Sequence, residues 1–99
     1  MFWVYMLRCA DDSFYLGHTD SLERRFAQHR DGVFQSCYTF RRRPIELIYS
    51  QDFPAREQAL EMERRIKGWS RAKKVALIRG DWEEISRLSR RKGRASTTR

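Results

Sequence analysis

Apolar residues along the chain follow two different rhythms. Residues 2–8 (Phe-Trp-Val-Tyr-Met-Leu-Arg) are rich in aromatic and β-branched types and predict a strand that stops at the polar segment Cys9-Ala10-Asp11-Asp12. A second strand, Ser13 to His18, follows at once, so the two read as an antiparallel hairpin with a loop of about four residues. Ile45 to Ser50, after Pro44, reads as a third strand. Alternation puts Trp3, Tyr5 and Leu7 on one face of the first strand and Phe2, Val4 and Met6 on the other. Both sets are apolar, which predicts helices on both sides of the sheet.

Elsewhere the apolar spacing turns helical. Asp20 or Ser21 caps a helix from Leu22 to Arg30, with Gly32 as the stop. Its inward stripe is Leu22, Phe26 and His29, with Arg25 beside it. A second helix starts near Pro54 and ends at Gly68, with apolar positions Ala59, Leu60, Met62 and Ile66. A third runs from Ser70 through Val75, Leu77 and Ile78 to Gly80. A fourth, capped by Asp81, carries Trp82, Ile85 and Leu88. Residues 33–43 show no period, end in Arg41-Arg42-Arg43, and read as a basic loop. The expected organisation is one domain over residues 1–89 and a basic disordered tail over 90–99.

Composition narrows the class. A hydrophobic fraction of 40% in 99 residues supports one modest core. No apolar run approaches the roughly 20 residues of a membrane span. The start of the chain lacks a signal-peptide pattern, and two cysteines make no disulfide scaffold, so a reducing cytoplasm and no membrane are expected. The net charge is +8. Arg90, Arg91, Lys92, Arg94 and Arg99 supply five positives and no acid, which leaves sixteen bases against thirteen acids, or +3, in residues 1–89. Such a balance predicts attraction to phosphate backbones or anionic lipid.

Four side chains stand out. Tyr15 and Gly17 share a strand face, and a glycine inside a strand marks close approach by a ligand or another group. Tyr5 projects onto the same face in a suitable register, although tyrosines in strands usually pack their rings and point the hydroxyl at water. Arg25 lies beside an apolar stripe, where an arginine either snorkels or holds an anion. Glu63 shares the stripe of Ala59 and Ile66, and a half-buried carboxylate needs a cation: a metal, or a base such as Lys67 or Arg64. Cys9, His18, His29 and Cys37 lack the close ligand pairs of a structural zinc site.

In combination these residues resemble the GIY-YIG nuclease superfamily, and in particular its small stand-alone bacterial members, similar to the excinuclease N-terminal domain. Val4-Tyr5-Met6 stands where the first triplet belongs, and Tyr15-Leu16-Gly17 where the second belongs. Thr19 to Phe26 resembles the family's capped helix with its arginine, and Glu63-Arg64-Arg65-Ile66-Lys67 its glutamate helix. Arg43-Pro44-Ile45-Glu46-Leu47 and Ile66 to Arg71 are also similar to stretches of the stand-alone members. The first triplet keeps only its tyrosine, having Val4 for glycine and Met6 for isoleucine.

The resemblance implies an α/β (α+β) fold, a three-stranded antiparallel sheet flanked by helices, and a metal-dependent endonuclease that hydrolyses DNA phosphodiester bonds. It implies that Glu63 is the protein ligand of a single Mg²⁺ or Mn²⁺, and that Arg25 holds the scissile phosphate. Tyr5 would deprotonate the attacking water, its pKa lowered by a nearby cation, and Tyr15 would orient the water or bond the phosphate. His18 is the other candidate base. Gly17, His29, Arg41, Arg42, Arg43 and Lys67 are expected on the nucleic-acid side, although His29 is equally suited to packing within its helix. Tyr5, Tyr15, Arg25 and Glu63 are expected to converge on one concave surface. No added DNA-recognition segment is evident, so weak sequence preference, selectivity for DNA structure or a protein partner is expected. The alternative is a nucleic-acid-binding module that kept the fold without turnover.

Overall fold

The computed structural model describes the backbone of residues 1–97 and the side chains of residues 1–90. The elements run β1 (Phe2–Arg8), β2 (Phe14–Thr19), α1 (Leu22–Arg30), a short 3-10 turn (Phe40–Arg42), β3 (Glu46–Phe53), α2 (Arg56–Lys67), α3 (Arg71–Arg79) and α4 (Trp82–Thr97). They form two compact units, Met1–Lys67 and Gly68–Arg99, so the chain divides within the stretch that the sequence reads as one domain. Among the described residues no helix is long and apolar enough to cross a membrane.

The first unit is built on an antiparallel sheet of order β2-β1-β3. β1 is central, which is why its residues are apolar on both faces: Val4, Tyr5, Met6 and Leu7 are all at most 1% exposed. Its partners put Tyr5 opposite Gly17 of β2 and Ser50 of β3. β3 extends three residues beyond the predicted Ser50, because Gln51, Asp52 and Phe53 continue the ladder to Phe2. The exposed polar side chains of Gln51 and Asp52 hide that pairing from a hydrophobicity pattern.

Each face of the sheet meets a different helix. Alternation puts Phe2, Val4, Met6, Leu16 and His18 on one face. There α2 packs its buried residues Ala59, Glu63 and Ile66. The guanidinium of Arg56 lies 5.2 Å from the Phe2 ring and the His18 ring bonds Glu63. On the opposite face, Tyr5, Leu7, Tyr15 and Gly17 meet α1 and the 33–43 loop, with the Tyr5 hydroxyl bonded to His29. Gly32, in a left-handed conformation with φ 73°, follows α1 as predicted.

The second unit is a pair of helices. The Ser70 hydroxyl accepts the Lys73 N–H (3.2 Å) at the start of α3, and Gly80 closes it with φ 70°. The Asp81 carboxylate then accepts the Glu84 N–H (3.1 Å) at the head of α4. Among the described residues of this unit, Ala76, Leu77 and Ile85 are buried. The helical backbone of α4 runs on to Thr97, through most of the segment expected to be a disordered tail. Arginine and lysine are good helix formers, and Gly93 alone interrupts the run.

Candidate active site

Gly17 makes room for the ring of Tyr5 on the central strand. A Cβ at this position would stand 2.5 Å from the Tyr5 hydroxyl oxygen and 2.6 Å from its ring carbon Cζ. The bare strand at Gly17 is therefore the slot through which the Tyr5 ring crosses β2. β2 is an edge strand, so Gly17 lies at the rim of the sheet.

Around the hydroxyl lies a buried polar chain. Tyr5 Oη is 3.0 Å from His29 Nε2, and His29 Nδ1 is 2.8 Å from Thr39 Oγ1. The Thr39 hydroxyl donates to Cys37 Sγ at 3.5 Å. His29 is 2% and Thr39 1% exposed, so these bonds answer polar groups that water cannot reach. Rings wall the chain: Tyr15 packs against both Tyr5 and His29, and Tyr38 stacks on Tyr15 at 6.3 Å between centroids. Phe34 meets the edge of the His29 ring, and Arg25 sits 5.5 Å from the Phe34 centroid.

Burial is the first influence on each titratable group of this cluster. Burial pushes the Tyr5 hydroxyl up to about 12, although the Arg25 guanidinium pulls the other way. Among the chain's own groups, desolvation outweighs the Arg25 cation at Tyr5. Burial, followed by its hydrogen bond with Cys37, raises Tyr15 as well. Burial and then the charge of Arg25 hold His29 below its ordinary value, so the imidazole is neutral at neutral pH. At Cys37 burial disfavours the thiolate, but hydrogen bonds from Thr39, Tyr15 and Tyr38 prevail and lower the thiol.

Glu63 lies on the other face of β2. It is 7% exposed, its Oε1 is 2.5 Å from His18 Nδ1, and its Oε2 is 2.7 Å from Lys67 Nζ one helical turn away. Burial opposes its charge, yet these two partners overcome it and keep the carboxyl below the usual range. The four groups expected on one surface therefore divide: Tyr5, Tyr15 and Arg25 lie on one face of the sheet, and Glu63, with His18, on the other. The Glu63 charge nevertheless acts on both tyrosine hydroxyls.

The basic residues are differently employed. Lys67 pairs with Glu63. Arg42 lies over the Tyr38 ring at 3.7 Å, pairs with Asp11 and donates to the Tyr38 carbonyl. Arg43 donates to the Phe40 carbonyl and lies over its ring, while Arg41 is exposed. Thr39, Cys37, Tyr38 and Phe34 carry no sequence signal, because the loop that holds them has no period.

For a metal, the observation that bears on fit is the buried carboxylate of Glu63. It supplies one hard oxygen donor, which suits an ion that keeps most of its waters, provided Lys67 or His18 gives way. Among the described residues no three of His, Cys, Asp and Glu gather as a ligand set.

Comparison with known proteins agrees with this geometry. The family model described as the GIY-YIG catalytic domain matches residues 1–76. A UPF0213 protein of Natronomonas pharaonis is 42% identical over 76 residues, covering 77% of this chain and 88% of that protein. A UPF0213 protein of Bacillus pumilus is also 42% identical over 76 residues, covering 77% of this chain and 76% of that one. The solution NMR structure of the UPF0213 protein BH0048 from Bacillus halodurans superposes with a TM-score of 0.53 at 36% identity, over 90% of this chain and 98% of that chain. With Tyr5, the Tyr15–Gly17 pair, Arg25 and Glu63 in their ordered places, the chain belongs to the GIY-YIG family, within its small stand-alone UPF0213 group.

Proposed function

We propose that the chain is a divalent-metal-dependent endonuclease that hydrolyses phosphodiester bonds of DNA, selecting substrates by structure or by weak sequence preference. GIY-YIG nucleases generally use divalent ions and act on nucleic acid. The observation that carries the reading is the buried Tyr5–His29 pair packed over Gly17, with the charges of Arg25 and Glu63 both acting on the Tyr5 hydroxyl.

The roles follow from chemistry. Glu63 holds Mg²⁺ or Mn²⁺, which neutralises charge on the phosphate when bound. Arg25 contacts the scissile phosphate and offsets the negative charge that grows on it. Tyr5 faces the attacking water, and Tyr15 orients it or bonds a phosphate oxygen. Gly17 keeps the slot open, and Arg41 with the basic C-terminal segment draws in the backbone. A protein partner would supply specificity beyond this, in the cytoplasm.

A second reading, a binding module without turnover, is favoured by one observation: both oxygens of Glu63 are already engaged by His18 and Lys67. A nicking assay separates the two. Plasmid, single-stranded, flap and four-way-junction DNA, with RNA counterparts, are incubated with Mg²⁺, Mn²⁺ or chelator. Cleavage that needs the metal supports the enzyme. Binding with no cleavage of any substrate supports the module.

A further inference from the structure

Lys67 takes no part in the proposed hydrolysis, and its ion pair is unlike others of the first unit. In the Arg8–Glu46, Arg42–Asp11 and Arg65–Glu61 pairs both side chains keep more than a third of their surface exposed. In the Lys67–Glu63 pair the lysine side chain is 57% exposed and the carboxylate side chain 10%. The ammonium therefore reaches in from water to a shielded carboxylate, where Nζ lies 2.7 Å from Oε2. The other oxygen, Oε1, is taken from the β2 side by His18 Nδ1 at 2.5 Å.

We propose that Lys67 gates Glu63: in the free chain its ammonium closes the carboxylate to divalent ions, and a phosphate group of the nucleic acid draws it away and opens the carboxylate to them. Lys67 is thus a positioning residue that acts through Glu63. The inference rests on the nuclease reading for the metal at Glu63. On it, the closed carboxylate is the resting state of an enzyme.

Charge and chemistry agree with this exchange. Two cations on one oxygen repel each other, so Lys67 and a divalent ion exclude one another at Oε2. Withdrawing Lys67 with nothing in its place is costly as well, because a carboxylate so shielded from water needs a positive partner. The exchange avoids that cost: the ammonium trades a carboxylate for a phosphate, and Glu63 trades an ammonium for a metal ion. A lysine suits the task, since its ammonium is a compact point charge on a flexible four-carbon stem and binds either anion without a fixed geometry. Linkage is reciprocal, so phosphate and metal each strengthen the binding of the other.

Mn²⁺ titration of the full ¹⁵N-labelled chain without nucleic acid, followed by paramagnetic broadening of the amide signals around Glu63, tests the gate apart from cleavage. Lys67→Gln should bind Mn²⁺ at least about 5-fold more tightly than the wild type, the low end of ordinary coupling between sites. Lys67→Arg, which keeps the charge, should stay near the wild type. Adding Glu63→Gln to Lys67→Gln should abolish the gain. In the wild type, a DNA oligonucleotide added in chelator should shift the Lys67 Nζ signal. Should Lys67→Gln not fold, Lys67→Met and the wild-type Nζ signal decide. Equal Mn²⁺ affinity in Lys67→Gln and wild type, a gain that survives Glu63→Gln, or an unmoved Nζ signal overturns the proposal. If the titrations behave as expected and the wild type cleaves nothing, the nuclease reading fails while the hold of Lys67 on Glu63 stands. Metal-dependent cleavage with equal Mn²⁺ affinities keeps the nuclease and removes the gate.

Discussion

At the scale of single residues, the site depends on one missing side chain. Gly17→Ala would put a methyl group 2.5 Å from the Tyr5 hydroxyl, whose ring is 1% exposed and tied to His29. The ring must move, so the variant should lose about 1–3 kcal/mol of stability in denaturant unfolding and most of its cleavage. Equal stability and activity in Gly17→Ala would mean that the slot is not needed. Glu63→Gln keeps shape while removing the charge that attracts a metal. Cleavage should fall by at least about 10²-fold, with DNA affinity equal or tighter because a negative charge near the phosphate is gone. Wild-type cleavage by Glu63→Gln would remove the single-metal mechanism. Gly17, Arg25 and Glu63 were legible as candidates because each breaks a local pattern: a gap in a strand, a charge on an apolar stripe; Tyr5 breaks none and was picked out by the family resemblance. Thr39 and Cys37 break none, since a loop without a period offers nothing to violate. The direction of the Tyr5 shift was also beyond reach, because burial of a hydroxyl depends on what covers it.

Elements decide which groups can cooperate. α1 and the 33–43 loop close one face of β2 and α2 closes the other, so the edge strand carries chemistry on both sides. The pattern of alternation showed both faces to be apolar, and the helix stripes aimed Arg25 and Glu63 inward. Whether the two stripes met the same face depended on long-range packing, which no stripe encodes. The buried His29 of α1 gives this arrangement a pH signature. Burial and then Arg25 lower its folded pKa, so folding stability from this group is fully present above the unfolded value near 6.5. It is lost as pH falls through the depressed folded value, because the unfolded chain binds the proton more readily. Glu63, also lowered in the folded state, adds a second loss further into acid. Urea unfolding between pH 7 and pH 5 should therefore show falling stability in the wild type and a flatter profile in His29→Gln. A profile unchanged by that substitution would mean that His29 titrates alike in both states.

Across the whole molecule, charge and chemistry are kept in different places. Residues 1–67, which hold the candidate site, have eleven bases against ten acids, or +1. Residues 68–99 have ten bases against three acids, or +7. On the proposed reading, a site in a nearly neutral unit takes its attraction for the phosphate backbone from elsewhere in the chain, and the positive charge is held in the C-terminal unit. Five of its positives lie in residues 90–99, with no acid among them and no apolar anchor. Deleting those residues should leave the β1–β3 sheet and the Tyr5–His29 pair untouched, because their bonding partners all lie within residues 1–67. Cleavage at saturating DNA should then be unchanged, while the DNA concentration needed for half-maximal rate rises. The plot of log affinity against log salt should become shallower by up to about 0.9 for each phosphate that the segment neutralises. Because phosphate contacts carry no sequence information, the deletion should weaken all sequences alike. An unchanged salt slope would place the attraction in residues 1–89, with Arg41 of the loop as the first candidate. A weakening confined to particular sequences would assign the segment a part in base recognition.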